Sequence, residues 1–310
     1  MTRFLKKYVV VALMSVLLIA CKDSNDEPAP TPTDTYESVR LKNVEVVDYS
    51  PAPGQFINEI PEYEAGDTKE TMNQKATESL RNGDLISLGA WGGSVTIKLS
   101  QSLPNVDGKS DFRVVGNSIY GNDASNAIRI GSSEPGIVLV MHDSNGNGLP
   151  DDEWFELCGN QTFNADDNYQ VTYYLPTANA ADDQYVAWTA SNGDNGYLNR
   201  TADHSQCYYP MWLNDAQTLT FTGRRLPNNG VYNSVTNRFD LSCYNGYADA
   251  HPNNAEASCL DIDNAIDCNG NKVYLESIDF IKIYTGVLQV NGPLGECSTE
   301  VAAIEQIKYN

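Results

Sequence analysis

The sequence predicts an all-β protein, an antiparallel β-sandwich of the jelly-roll kind with one short helix near the start of the domain. Three observations carry this. Short apolar or alternating runs recur along the chain with turn residues between them. Tyrosine (18) outnumbers every other aromatic, and Tyr and Trp set among many Gly, Asn and Asp suit strands joined by turns. Only one segment shows a helical period.

Taken in order, residues 40–48 alternate apolar and polar at period two, as a strand does. Asp67-x-x-Glu70 resembles a capping box, and Met72, Ala76 and Leu80 follow at i, i+4 and i+8. That spacing predicts a helix over 68–81, ended by Asn82-Gly83. Strands are predicted at Leu85–Leu88, Ser94–Leu99, Phe112–Val115, Gly136–His142, Trp154–Leu157 and Tyr169–Tyr174. Five more follow at Tyr185–Thr189, Gln217–Gly223, Arg238–Cys243, Leu260–Ile262 and Ile278–Tyr284. Turn pairs such as Gly92-Gly93 and Asn269-Gly270 separate them. The absence of an internal repeat argues against a propeller or solenoid. No linker interrupts residues 36–310, which are expected to form one domain.

Residues 1–20 predict an export signal. Arg3, Lys6 and Lys7 precede an apolar run from Val9 to Ala20, too short to span a bilayer. Leu18-Ile19-Ala20-Cys21 resembles the lipobox of bacterial lipoproteins, which implies lipidation of Cys21. Residues 21–35, acidic and then Pro-rich, predict a flexible tether. Acidic residues directly after the cysteine resemble the surface-export signal of Bacteroidetes lipoproteins, which implies the outer face of the outer membrane.

The chain carries 41 acidic and 20 basic side chains, a net charge of -21. Loss of the three signal-peptide cations would move this to about -24. Nucleic acid is excluded as a partner, because its phosphates require a basic surface. Composition also argues against coiled-coil, collagen-like and multi-span membrane chains. Six cysteines remain beyond Cys21: Cys158, Cys207, Cys243, Cys259, Cys268 and Cys297. An even number in an exported chain permits three disulfides or free thiols, with Cys259 and Cys268 the nearest pair for a local bridge.

One segment carries inorganic chemistry. In Asp143-Ser-Asn145-Gly-Asn147-Gly148-Leu149-Pro150-Asp151-Asp152-Glu153, oxygen-bearing side chains fall at positions 1, 3, 5 and 9 with Gly at 6. Alternate residues of a tight loop converge on one point, as a calcium ion with six to eight oxygen ligands requires. Asp143, Asn145, Asn147, Asp151, Asp152 and Glu153, with the Leu149 carbonyl, are the expected ligands of a structural Ca2+. Position 12 is Trp154 rather than Glu, and strands flank the loop, so a self-bonded Asn/Gly/Asp hairpin is the alternative. Asp261, Asp263 and Asp267 are a looser echo, read as a strand end.

No catalytic residues are assigned. The three histidines, His142, His204 and His251, form no zinc-binding pair, and no G-x-S-x-G elbow occurs. Glu134 and Glu156 are the least surface-like carboxylates, and structural hydrogen bonding is the reading preferred for both. A binding face is expected instead from Trp188, Asn195, Tyr197, Tyr208, Tyr209 and Trp212, with Tyr247, Asp249 and His251. Aromatic rings beside amides and carboxylates suit a ligand with apolar faces and polar edges, a sugar or a corrinoid. Trp91, Trp154 and Phe112 are expected in the core.

Five blocks carry a further resemblance. They are Ile86-Ser-Leu-Gly-Ala-Trp91-Gly-Gly-Ser-Val-Thr-Ile, Asp111-Phe-Arg-Val-Val-Gly-Asn117, and Glu134-Pro-Gly-Ile-Val with Asn145-Gly-Asn-Gly-Leu-Pro-Asp-Asp-Glu-Trp-Phe-Glu-Leu. Tyr247-Ala-Asp249-Ala-His-Pro-Asn253 and Ile278-Asp-Phe-Ile-Lys-Ile-Tyr-Thr-Gly complete them. Together, over about residues 68–301, they resemble a family of Bacteroidetes cell-surface lipoproteins often encoded beside vitamin B12 uptake systems. The resemblance implies a non-catalytic protein that captures cobalamin or a related corrinoid for a TonB-dependent transporter. A carbohydrate-binding lipoprotein or a glycan-active hydrolase is the alternative.

Overall fold

The computed structural model describes residues 35–121, 130–202, 204–213, 215–233 and 238–310. The predicted signal peptide, Cys21 and all of the tether except Thr35 lie outside them. Among the described residues no helix is long and apolar enough to cross a membrane.

The helix forms where the period placed it, Lys69–Asn82, and Gly83 closes it with φ 84. Its start differs from expectation. Thr68 is the N-cap, and the capping box joins Thr68 to Thr71, whose hydroxyl accepts from the Thr68 N–H at 2.7 Å. Asp67 instead accepts from the Glu64 N–H and pairs with Lys75 at 2.7 Å. Asp67 is thus engaged by the preceding turn and by a lysine of the helix, which leaves the cap to Thr68.

The all-β expectation holds in its broad form: 41% of the chain is strand, in antiparallel sheets. Among the described residues the strands nonetheless divide among five sheets instead of the two of a jelly roll, arranged propeller-like. The largest runs in the order Ala265–Ile266, Phe155–Leu157, Gly136–Met141, Ser277–Thr285, Ser94–Pro104, Val44–Ser50. One of its faces packs Val46, Ile97, Val140 and Ile281 against Met72, Ala76 and Leu80 of the helix. Full burial of side chains such as Met72 and Leu80 contributes roughly 2 kcal/mol each. Its other face carries polar residues. A second sheet joins Asn195–Leu198, Val186–Ala190, Asp166–Tyr174 and Thr218–Arg225 over a core that contains Trp91, Tyr173 and Tyr208. A third joins Gly230–Asn233, Arg238–Ser242, Ile130–Ser132 and Ile119–Tyr120, and a fourth joins Tyr36–Arg40, Ala303–Tyr309, Phe112–Val115 and Cys259–Leu260. Ile86–Ser87 and Glu300–Val301 make a small ladder. Tyr36–Asn310 is one compact unit.

Among the described residues none of the six cysteines after Cys21 forms a disulfide. Cys259 stands in a ladder opposite Arg113, whose guanidinium reaches its sulfur at 3.1 Å, whereas Cys268 is exposed in a turn. The nine-residue separation therefore does not bring the pair into bonding geometry.

Candidate functional site

Two halves of the expected aromatic face come apart in space. Trp188 is half-buried and packs on Gly196, where a Cβ would overlap its ring. With the exposed Asn195 and Tyr197 it lines a shallow recess of about 390 Å³. Tyr208 and Tyr209 are core residues whose hydroxyls donate to the His204 and Ala216 carbonyls. Trp212 stacks on Tyr49 and Tyr63, with centroids 5.8 and 6.2 Å away. The buried Tyr208 and Tyr209 are thus not a ligand surface, while Trp212 is half-buried between two tyrosines: a tyrosine that reaches a backbone acceptor is as readily core as surface. Trp91 and Phe112 are fully buried as expected, while Trp154 is half-buried at the rim of a cleft.

The second half does assemble a site. Tyr244, Asn245, His251 and Asn254 line a groove of about 810 Å³ with Tyr120, Asn160 and Gln161. A neighbouring recess of about 560 Å³ shares Asn160, Asn245, Glu256 and Ala257 and continues to Cys259 and Asn264. His251, only 5% exposed, is held at both nitrogens: Nδ1 lies 3.0 Å from the Tyr120 hydroxyl and Nε2 2.8 Å from the Asn245 amide oxygen. A bond to an amide oxygen requires Nε2–H, which leaves Nδ1 of the neutral ring to accept from Tyr120. His251 therefore orients two lining residues.

Tyr247 and Asp249 act from beneath. Tyr247 is buried, and its hydroxyl accepts from the Gln161 N–H and meets the Thr162 hydroxyl, each at 3.2 Å. Gly159 lies against its ring so closely that a Cβ would overlap it. Burial pushes the Tyr247 phenol up to about 12. Asp249, at φ 49, turns its carboxylate to the N–H groups of Asn117 and Ser118, both at 2.9 Å. A Cβ on Gly116 would overlap that carboxylate. Asn253 clamps Gly116 at both its N–H and its carbonyl. The segment 249–253 thus holds 116–118 in place and delivers Tyr120 to His251.

Behind the groove, one oxygen each of Glu134, Asp249 and Glu300 lies within 4.8 Å of the others, a spacing that could hold a cation. Glu134 accepts from the Ser298 N–H, Asp249 from the Glu300 N–H, and Glu300 from the Ser87 and Ser298 hydroxyls. Burial first, and then the like charge of Glu300, push the Glu134 and Asp249 carboxyls well above the carboxylate range. Burial also raises Glu300, to about 7. Nothing local in the sequence marks this cluster, because its members are more than 50 residues apart.

The loop 143–153 is closed by its own hydrogen bonds. Asp143 accepts from the N–H groups of Asn147 and Gly148, Asn145 from that of Asn147, and Asn147 from that of Leu149. Asp151 accepts from the amides of Asn145 and Asn147 at 3.0–3.2 Å. The oxygens of Asp143, Asn145, Asn147 and Asp151 are thus taken up by the loop's own N–H and NH2 groups, as in the self-bonded hairpin, and one buried oxygen of Asp152 has no partner. Glu153 and the Leu149 side chain are exposed, and Lys98 holds the Gly148 carbonyl at 2.7 Å. Asp261 and Asp267 instead cap turns at Asp263 and at Asn269 and Asn271.

No family model matches this chain, and no curated protein does.

Proposed function

We propose that the chain is a non-catalytic surface lipoprotein, anchored through Cys21 at the outer membrane, that captures an extracellular nutrient for a TonB-dependent transporter. The observation that supports it best is the groove in which Asn160, Gln161, Asn245 and Asn254 gather beside Tyr120, Tyr244 and His251. The side-chain NH2 groups of Asn160, Gln161 and Asn245 donate to nothing among the described residues. Carboxamides both donate and accept, so a row of them matches a ligand fringed with amides around an apolar body. Cobalamin and related corrinoids have that chemistry. Tyr120 and Tyr244 offer ring edges to the macrocycle, and Tyr247, Asp249 and His251 keep the amides in position. A Ca2+ ion held by Asp143, Asn145, Asn147 and Asp151 would brace the hairpin between Gly136–Met141 and Phe155–Leu157.

The test is equilibrium titration of the purified chain with cyanocobalamin, beside an Asn160→Ala/Asn245→Ala variant. Saturable binding that the variant loses supports the reading; no saturable binding by the native chain ends it. Carboxamides also suit sugar hydroxyls, so a glycan array is the second arm: neutral glycans bound through the same two residues would make this a carbohydrate-binding lipoprotein.

A further inference from the structure

A second cleft, of about 820 Å³, opens between the polar face of the six-stranded sheet and the strand Thr218–Arg225. Its floor is a cross-strand row. Asp48 pairs with Thr96, Thr96 with Lys282, Lys282 with Leu139 and Leu139 with Glu156, so five side chains from five strands share one face.

The charges in this row are unequal in their partners. Asp48 is taken by Lys69 at 2.6 Å, and Arg224 bridges Glu156 at 3.4 Å and Asp167 at 2.8 Å. Lys282 makes no ion pair or hydrogen bond among the described residues. The row leaves it two strands from either carboxylate, about 10 Å at the usual strand spacing. In a chain with 41 acidic and 20 basic side chains, a half-buried ammonium that no carboxylate of the described residues pairs with stands ready for an anion from outside. Around it, Asp48 and Asp167 can accept hydroxyl groups, and Trp154 and Phe221 stand in the cleft wall. Phe221 is fixed there by Gly92, which it overlies too closely for a Cβ.

This combination selects among anions. A phosphate dianion calls for several converging N–H or guanidinium donors, whereas here one ammonium lies between acidic flanks and the only arginine is already bridged. A single carboxylate on a hydroxyl-rich ring fits: C–H faces on the aromatic side chains, hydroxyls to the flanking carboxylates, the carboxylate on the ammonium. We propose that this cleft binds a uronic acid, with its carboxylate held by Lys282. The proposal rests on the cleft alone and stands whether or not the amide groove takes a corrinoid.

Calorimetric titration of the full chain with galacturonate and its trimer, glucose and inorganic phosphate tests it. Uronate is expected to bind at least tenfold more tightly than glucose or phosphate, and less tightly as salt rises. Lys282→Met is expected to weaken uronate ten- to hundredfold, the range for loss of a charge-assisted hydrogen bond. Lys282→Arg retains binding within a few-fold, and unchanged melting of both variants shows that they fold. No uronate binding, glucose or phosphate bound equally well, or indifference to Lys282→Met would each overturn the proposal.

Discussion

The two large clefts of this protein are built by opposite means. The amide groove takes most of its walls from loops and is lined mainly by neutral donors and acceptors, with Glu256 at one side. It rests on buried acids that accept backbone N–H groups. The charged cleft takes its floor from strand register, and two of its three cations already hold carboxylates of the chain. A loop-built site depends on what lies beneath the loops, whereas a register-built site depends on pairing that five strands share. Perturbations of the buried acids should therefore reach the groove and spare the cleft.

The largest separation is expected from pH. Glu134, Asp249 and Glu300 all have folded-state pKa values above those of the free side chains. The folded state thus binds protons more tightly than the unfolded one. The stability contributed by these groups is fully present below pH 4 and is lost as pH rises through the folded values. For Glu300, raised from 4.5 to about 7, the loss is about 3 kcal/mol. With chelator present, the melting temperature should fall between pH 5 and 8, and Glu300→Gln should flatten the fall and raise the value at pH 8. A flat native profile would show that the cluster carries no excess charge.

Next in size is Gly116→Val, which forces side-chain atoms onto the Asp249 carboxylate and should cost about 2 kcal/mol. Denaturant unfolding gives the cost, and the two titrations should show the groove weakened and uronate binding in the cleft kept. Tyr247→Phe removes the hydroxyl that meets Gln161 and Thr162 and should cost about 1 kcal/mol, again with weaker groove binding. The smallest effect belongs to the loop. If calcium occupies it, millimolar Ca2+ raises the melting temperature of the native chain and not of Asp143→Ala. Equal melts with and without Ca2+ would make the loop a hydrogen-bonded turn.

The same contrast explains what could be read in the sequence. Strands and the helix announced themselves through local period, and Phe112–Val115 has the limits expected of it. Short or glycine-containing strands such as Ile119–Tyr120, Asn195–Leu198 and Gly230–Asn233 did not, since two to four residues hold too little pattern. Grouping into sheets was illegible because pairing links distant segments, as between Tyr36–Arg40 and Ala303–Tyr309. In the groove, Tyr247, Asp249 and His251 were visible because they are nearly consecutive. Asn160, Gln161 and Tyr120 were not: two lie in a turn and one in a two-residue strand, and only Asn245, the Tyr247 hydroxyl and His251 hold them at the groove. In the cleft Glu156 stood out as an unusual carboxylate, but its place in one row with Asp48 and Lys282 did not, because only register sets it. The exposed-aromatic argument failed at Tyr208 and Tyr209, where polar surroundings in sequence concealed a buried position in space.

The proposed capture role is tested most directly by side-chain amide NMR of the full chain during titration with cyanocobalamin. The amide groups of Asn160, Gln161, Asn245 and Asn254 should shift together and saturate at one ligand per chain, while the Lys282 ammonium stays in place. Unmoved amides, or shifts confined to residues around Lys282, would contradict it.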